Sequence, residues 1–162
     1  RSNAGKSSAL NSLADNKKLA RISKTPGRTT EINFFEVEEG YKLLDLPGYG
    51  FAKSGQSRIK DWGSLLGEYF ANRKALKGVL IFMDIRHPLK PIDLEMIKLC
   101  ESFNIDYVAV LTKSDKVSKN IEAKTIHQVS NITNAIEILA ISSLKKKGFE
   151  KLRKVLIGFK DE

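Results

Sequence analysis

The chain has 162 residues, 41% of them hydrophobic and 29% charged, with 28 Lys and Arg against 19 Asp and Glu for a formal charge of +9. That length fits one domain with a sizeable core, and the balance of apolar and charged residues excludes a disordered chain. No apolar run reaches the ~20 residues that cross a bilayer, and a lone cysteine, Cys100, excludes a disulfide framework or a Cys-rich zinc site and points to a reducing, cytoplasmic setting. The positive surplus leaves two readings open, a polyanionic partner or a solvated basic face.

Arg1 opens inside a motif with no strand before it, so we expect a single domain over 1–162 that is incomplete at its N-terminus. Residues 6–14 put Ala9, Leu10 and Leu13 on one side of a short amphipathic helix. Asn16 to Thr30 carries Pro26 and Gly27 without periodicity and reads as a loop. Ile32 to Val37 and Tyr41 to Leu46 read as strands joined by a turn at Glu38-Glu39-Gly40. A glycine-rich stretch, Pro47 to Gln56, precedes helical spacing at Ile59, Trp62, Leu65, Leu66, Tyr69 and Phe70.

The second half alternates more regularly. Val79 to Asp84 is an apolar strand, and Ile92, Met96, Leu99 and Cys100 stripe a helix. Tyr107 to Thr112 is the next strand, followed by a helix opened by Ser118 with Ile121, Ile126 and Val129 on its apolar side. Ile136 to Ile141 is a last strand, and Phe149, Leu152, Val155 and Leu156 mark the closing helix. Short continuous apolar strands between helices predict an α/β fold: a mainly parallel sheet covered on both faces, with one hairpin supplying an antiparallel edge.

Four motifs fall at the ends of predicted strands or at the start of the first helix. Arg1-Ser2-Asn3-Ala4-Gly5-Lys6-Ser7, with Ser8 after it, is a phosphate-binding loop lacking its leading glycine. Gly5 lets backbone N–H groups wrap phosphate oxygens, the helix N-terminus favours an anion, Lys6 reaches the β- and γ-phosphates, and the Ser7 hydroxyl is placed to ligate Mg²⁺. Asp45-Leu46-Pro47-Gly48 ends a strand, where Asp45 can hold a water on Mg²⁺ and the Gly48 N–H can approach the γ-phosphate. Thr112-Lys113-Ser114-Asp115 carries a carboxylate able to accept from N1–H and the exocyclic amine of guanine, a donor pair adenine lacks. The Lys113 stem can cover one face of that base. Ile141-Ser142-Ser143 would bring backbone N–H groups to the guanine carbonyl. Such strand-end loops converge where nucleotides bind in open α/β sheets.

The strings RSNAGKSS, TPGRT, DLPGYGFA, MDIRHPLK, TKSD and ISSLKKKGF together resemble the EngB (YihA/YsxC) family of bacterial GTPases, one of the TrmE-Era-EngA-EngB-septin-like group. The resemblance covers essentially the whole chain. It implies a P-loop G domain that binds GTP and GDP with Mg²⁺, acts in assembly of the large ribosomal subunit on its RNA, and is required for normal division and septation. It also implies that Thr29 ligates Mg²⁺ in the triphosphate state, and that Gly27, Arg28, Thr30 and Glu31 lie along the nucleotide edge.

Tyr49 follows Gly48 where many GTPases carry a water-orienting glutamine, and a phenol cannot supply both donor and acceptor of a carboxamide. Slow intrinsic hydrolysis is therefore expected, with no catalytic side chain assigned. Asn3 has two open readings, a K⁺ ligand or a loop-shaping residue. Asp84, Arg86 and His87 are either a structural ion pair or hydrogen-bonded loop, or a partner-facing or switch-sensing group. Lys17, Lys18, Arg21, Lys24 and Arg28 near the first switch loop, and Lys145, Lys146, Lys147, Lys151, Arg153 and Lys154 near the last helix, are candidate phosphate-backbone contacts to RNA. No coiled-coil pattern or sticky edge points beyond a monomer.

Overall fold

In a computed structural model of the chain, the described residues are 4–14, 33–38, 41–45 and 76–159. Their elements, in order, are α1 (Lys6–Ala14), β1 (Asn33–Glu38), β2 (Tyr41–Asp45), β3 (Val79–Asp84), α2 (Pro91–Ser102), β4 (Tyr107–Thr112), a 3₁₀ turn (Ser114–Lys116), α3 (Lys119–Ile132), β5 (Glu137–Ala140) and α4 (Phe149–Gly158). The expected helix over 59–70, the loop over 16–30 and the glycine-rich stretch after Leu46 lie outside the described residues.

β3, β4 and β5 form a parallel sheet in that order, with Asp84 opposite Thr112 and Leu111 opposite Ala140. β1 and β2 form the antiparallel hairpin, running from Asn33 opposite Asp45 to Glu38 opposite Tyr41, with a register shift between Glu36 and Glu38. The shift inserts one extra residue in β1.

The parallel sheet is buried on both faces because its strands alternate apolar side chains toward each. Tyr107, Ala109 and Leu111 of β4 point with Ile81 and Met83 into a core shared with Ile97 and Cys100 of α2 and Val129 of α3. Val108 and Val110 point the other way with Phe82, against Ala9 of α1 and Phe149 and Leu152 of α4. The sheet is thus the middle of three layers, and continuous apolar runs such as Val79 to Met83 reflect that double burial.

Helix boundaries follow the sequence closely; helix faces follow it less well. Ser118 caps α3 as expected, its hydroxyl accepting from the Ile121 N–H at 3.4 Å. Ile121 itself is exposed, because the buried row of α3 is Thr125 and Val129, four residues apart. On α2 the buried row is Asp93, Ile97 and Cys100, while Ile92, Met96 and Leu99 are only half-buried. An apolar stripe could not anticipate Asp93. Its carboxylate accepts from the Lys90 N–H at 3.0 Å and so satisfies one orphan donor of the helix start. β5 is shorter than expected, and Ile136 is exposed; hydrogen bonds from Ile136 N to Tyr107 O and from Ile141 N to Leu111 O still extend the pairing at each end. Phe159, beyond the predicted apolar stripe of the last helix, is buried against Gly78, where any Cβ would lie 2.4 Å from the ring.

Candidate functional site

Gly5 and Lys6 open α1 beside the C-terminal end of β4. Gly5 takes a left-handed φ of +76°, and a Cβ there would stand 3.3 Å from both Cβ and Oγ1 of Thr112. The conformation favours glycine, and the space is tight for any side chain. The buried Thr112 hydroxyl donates to the Ala4 carbonyl at 2.6 Å and also lies 3.1 Å from the Met83 carbonyl. One side chain therefore joins the phosphate loop, the end of β3 and the first residue of the Thr112–Asp115 tetrapeptide. Ser7 and Ser8 are exposed on the first turn of α1, which carries no acidic residue to compete with an anion. Hydroxyl and carboxylate oxygens at Ser7 and Asp45 are the hard donors that Mg²⁺ prefers. Arg1, Ser2, Asn3, Gly27, Arg28, Thr29, Thr30, Glu31, Leu46, Pro47, Gly48 and Tyr49 lie outside the described residues.

The tetrapeptide is tethered at each of its polar ends. Lys113 is left-handed, with φ of 60°, and opens the 3₁₀ turn that carries Asp115. The Ser114 N–H donates to Ile141 O at 3.0 Å. The Ser142 hydroxyl donates to Asp115 Oδ1 at 2.6 Å, and accepts from the Lys145 N–H at 3.0 Å. That hydrogen bond is the main reason the Asp115 carboxyl sits below its ordinary pKa, with Lys116 and Lys145 adding smaller favourable charge against the opposing effect of burial. Asp115 is therefore an anion at neutral pH, with its side chain 7% exposed. A carboxylate has about four acceptor positions, so one bond from Ser142 leaves capacity for a donor pair on a ligand.

Ser142 is engaged through both its backbone and its side chain. Its N–H is bonded to Lys147 O at 3.0 Å, and the Lys147 N–H returns to Ser142 O at the same distance. The Ser142 N–H is thus taken up within the turn, while its hydroxyl is bonded to Asp115. Sequence could not separate these roles, because a serine offers both a backbone and a side-chain donor.

Asp84, at the end of β3, is buried and accepts from three donors of Arg86: N–H at 3.1 Å, Nε at 2.9 Å and Nη2 at 2.7 Å. Lys113 Nζ lies 3.0 Å from its second oxygen. The Arg86 hydrogen bonds hold the Asp84 carboxyl well below the usual carboxylate range, outweighing desolvation, with Lys113 assisting. Arg86 and Asp84 thus form the ion pair left open by the sequence. The link to Lys113 was missed, although a strand-end acid beside a strand-end lysine is what parallel register at Asp84 and Thr112 produces.

The C-terminal basic cluster is less uniform than its sequence. Lys145, Lys146, Lys151 and Lys154 are exposed. Lys147 instead pairs with Glu122 at 2.7 Å. Arg153 is half-buried, donating at 3.3 Å to the carbonyls of Ser12 and Leu13 at the end of α1. His127 lies on the exposed surface of α3, 3.2 Å from Asn131 Nδ2. No group of His, Cys, Asp and Glu among the described residues could hold a metal by itself, and no helix there is long and apolar enough to cross a membrane.

The family described as "50S ribosome-binding GTPase" matches residues 1–113. A "Probable GTP-binding protein EngB" from Sodalis glossinidius is 48% identical over 160 residues, covering 96% of this chain and 76% of its own. Its counterpart from Salmonella newport has the same identity and coverage. Among solved structures, the chain superposes on a crystal structure of a probable GTP-binding protein engB with a TM-score of 0.73 at 24% identity, covering 98% of this chain and 94% of that one. A bacterial selenocysteine-specific elongation factor EF-Sec follows at 0.68 and 20% identity, with 98% and 27% covered. Those two likenesses give the fold, a P-loop GTPase α/β domain. The family match over residues 1–113, together with near-half identity over almost the entire length, assigns this chain to the EngB family of GTP-binding proteins.

Proposed function

We propose that this chain binds GTP and GDP with Mg²⁺, hydrolyses GTP slowly, and acts as a nucleotide-controlled switch in assembly of the large ribosomal subunit. The observation that carries the guanine reading is the 2.6 Å hydrogen bond from Thr112 to Ala4. It brings the phosphate loop and the base-reading carboxylate to the same end of the sheet, where nucleotides bind in open α/β folds. Lys6 and the N-terminal turn of α1 then take the phosphates, Asp115 takes the N1–H and 2-amino edge of guanine, and the Lys113 stem covers the base. Ser7, Thr29 and Asp45 would hold Mg²⁺, which supplies positive charge between the phosphates.

Thr29 and the Asp45–Gly48 segment are the groups a γ-phosphate would order and its loss would release. The exposed lysines of the 145–154 region give RNA phosphates a sequence-independent, salt-sensitive partner. In this reading the protein works as a cytoplasmic monomer that is required for normal division and septation. The Asn3 question is decided by turnover in KCl against NaCl, equal rates removing the K⁺ role.

Calorimetric titration with GDP, GTP and ATP tests the nucleotide assignment. Guanine nucleotides are expected to bind and ATP to fail, since adenine leaves the Asp115 carboxylate without its donor pair. Equal binding of ATP would replace this reading by an ATPase or kinase. Phosphate release that stays absent with large subunits present would replace it by a non-catalytic RNA-binding module.

A further inference from the structure

Among the described residues, three side chains of the Thr112–Asp115 tetrapeptide are anchored outside it, and two of those anchors have evident purposes. Thr112 holds the phosphate loop, and Ser142 holds Asp115. The third runs from Lys113 to a buried acid that touches neither phosphate loop nor base-reading carboxylate in the described contacts. Lys113 has a left-handed backbone, which costs a non-glycine residue energy and persists only when its surroundings hold it. Its ammonium is 3.0 Å from Asp84 Oδ2, whose side chain is 4% exposed while that of Lys113 is 33% exposed. Parallel register sets this meeting: Asp84 stands opposite Thr112, so the residue after Thr112 emerges beside it. Ile85 N donates to Thr112 O at 3.1 Å and fixes the two strand ends together.

We propose that Asp84 is a positioning residue for guanine recognition: it draws the Lys113 ammonium off to one side, so that the aliphatic stem lies flat as the cover of the base. Arg86 completes the device by neutralising Asp84 from its other side, its bidentate guanidinium leaving one acceptor direction on Oδ2 for the lysine. Without Arg86 a buried carboxylate would need the lysine for its own sake, and the stem would follow the charge rather than the ligand. The inference deepens the nucleotide assignment above and rests on it. It also accounts for the ion pair at the end of β3, which neither the phosphate loop nor Asp115 requires.

The test is a double-mutant cycle on GDP affinity with Asp84→Asn and Lys113→Met. Methionine keeps an unbranched apolar stem and removes only the ammonium. Each single variant should weaken GDP by about tenfold, the scale of one charge-assisted contact, and the double variant should be no weaker than either single by more than about twofold. GDP and IDP should lose by the same factor, because the stem covers the face of a base and not the 2-amino edge that distinguishes them. Unfolding midpoints of the unliganded variants separate loosening of the fold from loss of positioning; if Asp84→Asn does not fold, native GDP affinity in Lys113→Met alone overturns the proposal. It is also overturned if losses multiply in the double variant, or if the GDP-to-IDP ratio changes, which would route Asp84 through Asp115. An unmodified chain that takes up no GDP refutes the guanine assignment itself, whereas normal GDP binding with an inert Asp84→Asn refutes only the tether.

Discussion

Thr112→Val probes the hinge of the site with an almost unchanged outline. The substitution replaces a hydroxyl by a methyl group where the hydroxyl stands 2.6 Å from the Ala4 carbonyl and 3.1 Å from that of Met83. Losing the donor leaves a carbonyl of a residue that is 1% exposed without its partner, a cost of about 1–3 kcal/mol. The methyl also cannot stay at 2.6 Å from an oxygen, since carbon–oxygen contacts below about 3.3 Å are repulsive, so the loop must retreat by roughly 0.7 Å. For a domain of this size the unfolding midpoint should fall by about 2–10 °C. GDP should bind about tenfold or more weakly, because the anion cradle begins at the displaced residue and each 1.4 kcal/mol is about tenfold. Thermal unfolding and GDP titration measure both quantities. Thr112→Ser, which keeps the hydroxyl, should lie close to the unmodified protein in affinity. Native midpoint and affinity in Thr112→Val would refute the role given to this hydrogen bond, and a Thr112→Ser variant as weak as Thr112→Val would assign the effect to the lost methyl instead.

Ser142→Ala removes the main cause of the depressed Asp115 pKa; an NMR titration should find that carboxyl moved up toward ordinary values, and GDP affinity should fall by roughly fivefold, the worth of about 1 kcal/mol. Ser114 Oγ is buried and has no hydrogen-bond partner among the described residues, so Ser114→Ala should raise the unfolding free energy by about 1 kcal/mol, measured by denaturant titration, and a loss of stability would show that the hydroxyl is satisfied. Asp84 has a folded pKa lowered from its ordinary value, so its contribution is complete above about pH 4 and is lost as pH falls through the folded value. Midpoint plotted against pH should therefore drop more steeply below about pH 4 in the unmodified protein than in Asp84→Asn; parallel curves would remove Asp84 from the acid response. Gly78→Ala should destabilise by about 1–3 kcal/mol through its clash with Phe159, with part of the loss recovered in a Phe159→Leu background, as chemical denaturation would measure.

Helices α1, α3 and α4 and the parallel strands were legible because local rules act there without help: Ser118 is a good cap, and double burial writes continuous apolar runs into β3 and β4. The candidate nucleotide motifs stand out for a related reason, since a glycine before Lys6 and an acid after a core strand are what phosphate and guanine would demand. Residues whose meaning depends on a distant partner were not legible. Arg153 carried no sign in the sequence of the two carbonyls it meets at the end of α1. Ser142 could have acted through either of two donors, and only the pairing with Lys147 decided which.

What the order of amino acids determined by itself was therefore the inventory: which segments are strands and helices, and which side chains are candidates for contacts to phosphate, metal and guanine. What tertiary structure alone decided was the connections, namely Thr112 to Ala4, Ser142 to Asp115 and Asp84 to Lys113, spanning 108, 27 and 29 positions of chain. Secondary structure is set by interactions a few residues long, whose periodicity leaves a trace in the sequence. A hydrogen bond between strand ends depends instead on register and packing across the sheet, and neither partner carries a mark of the other until the chain has folded.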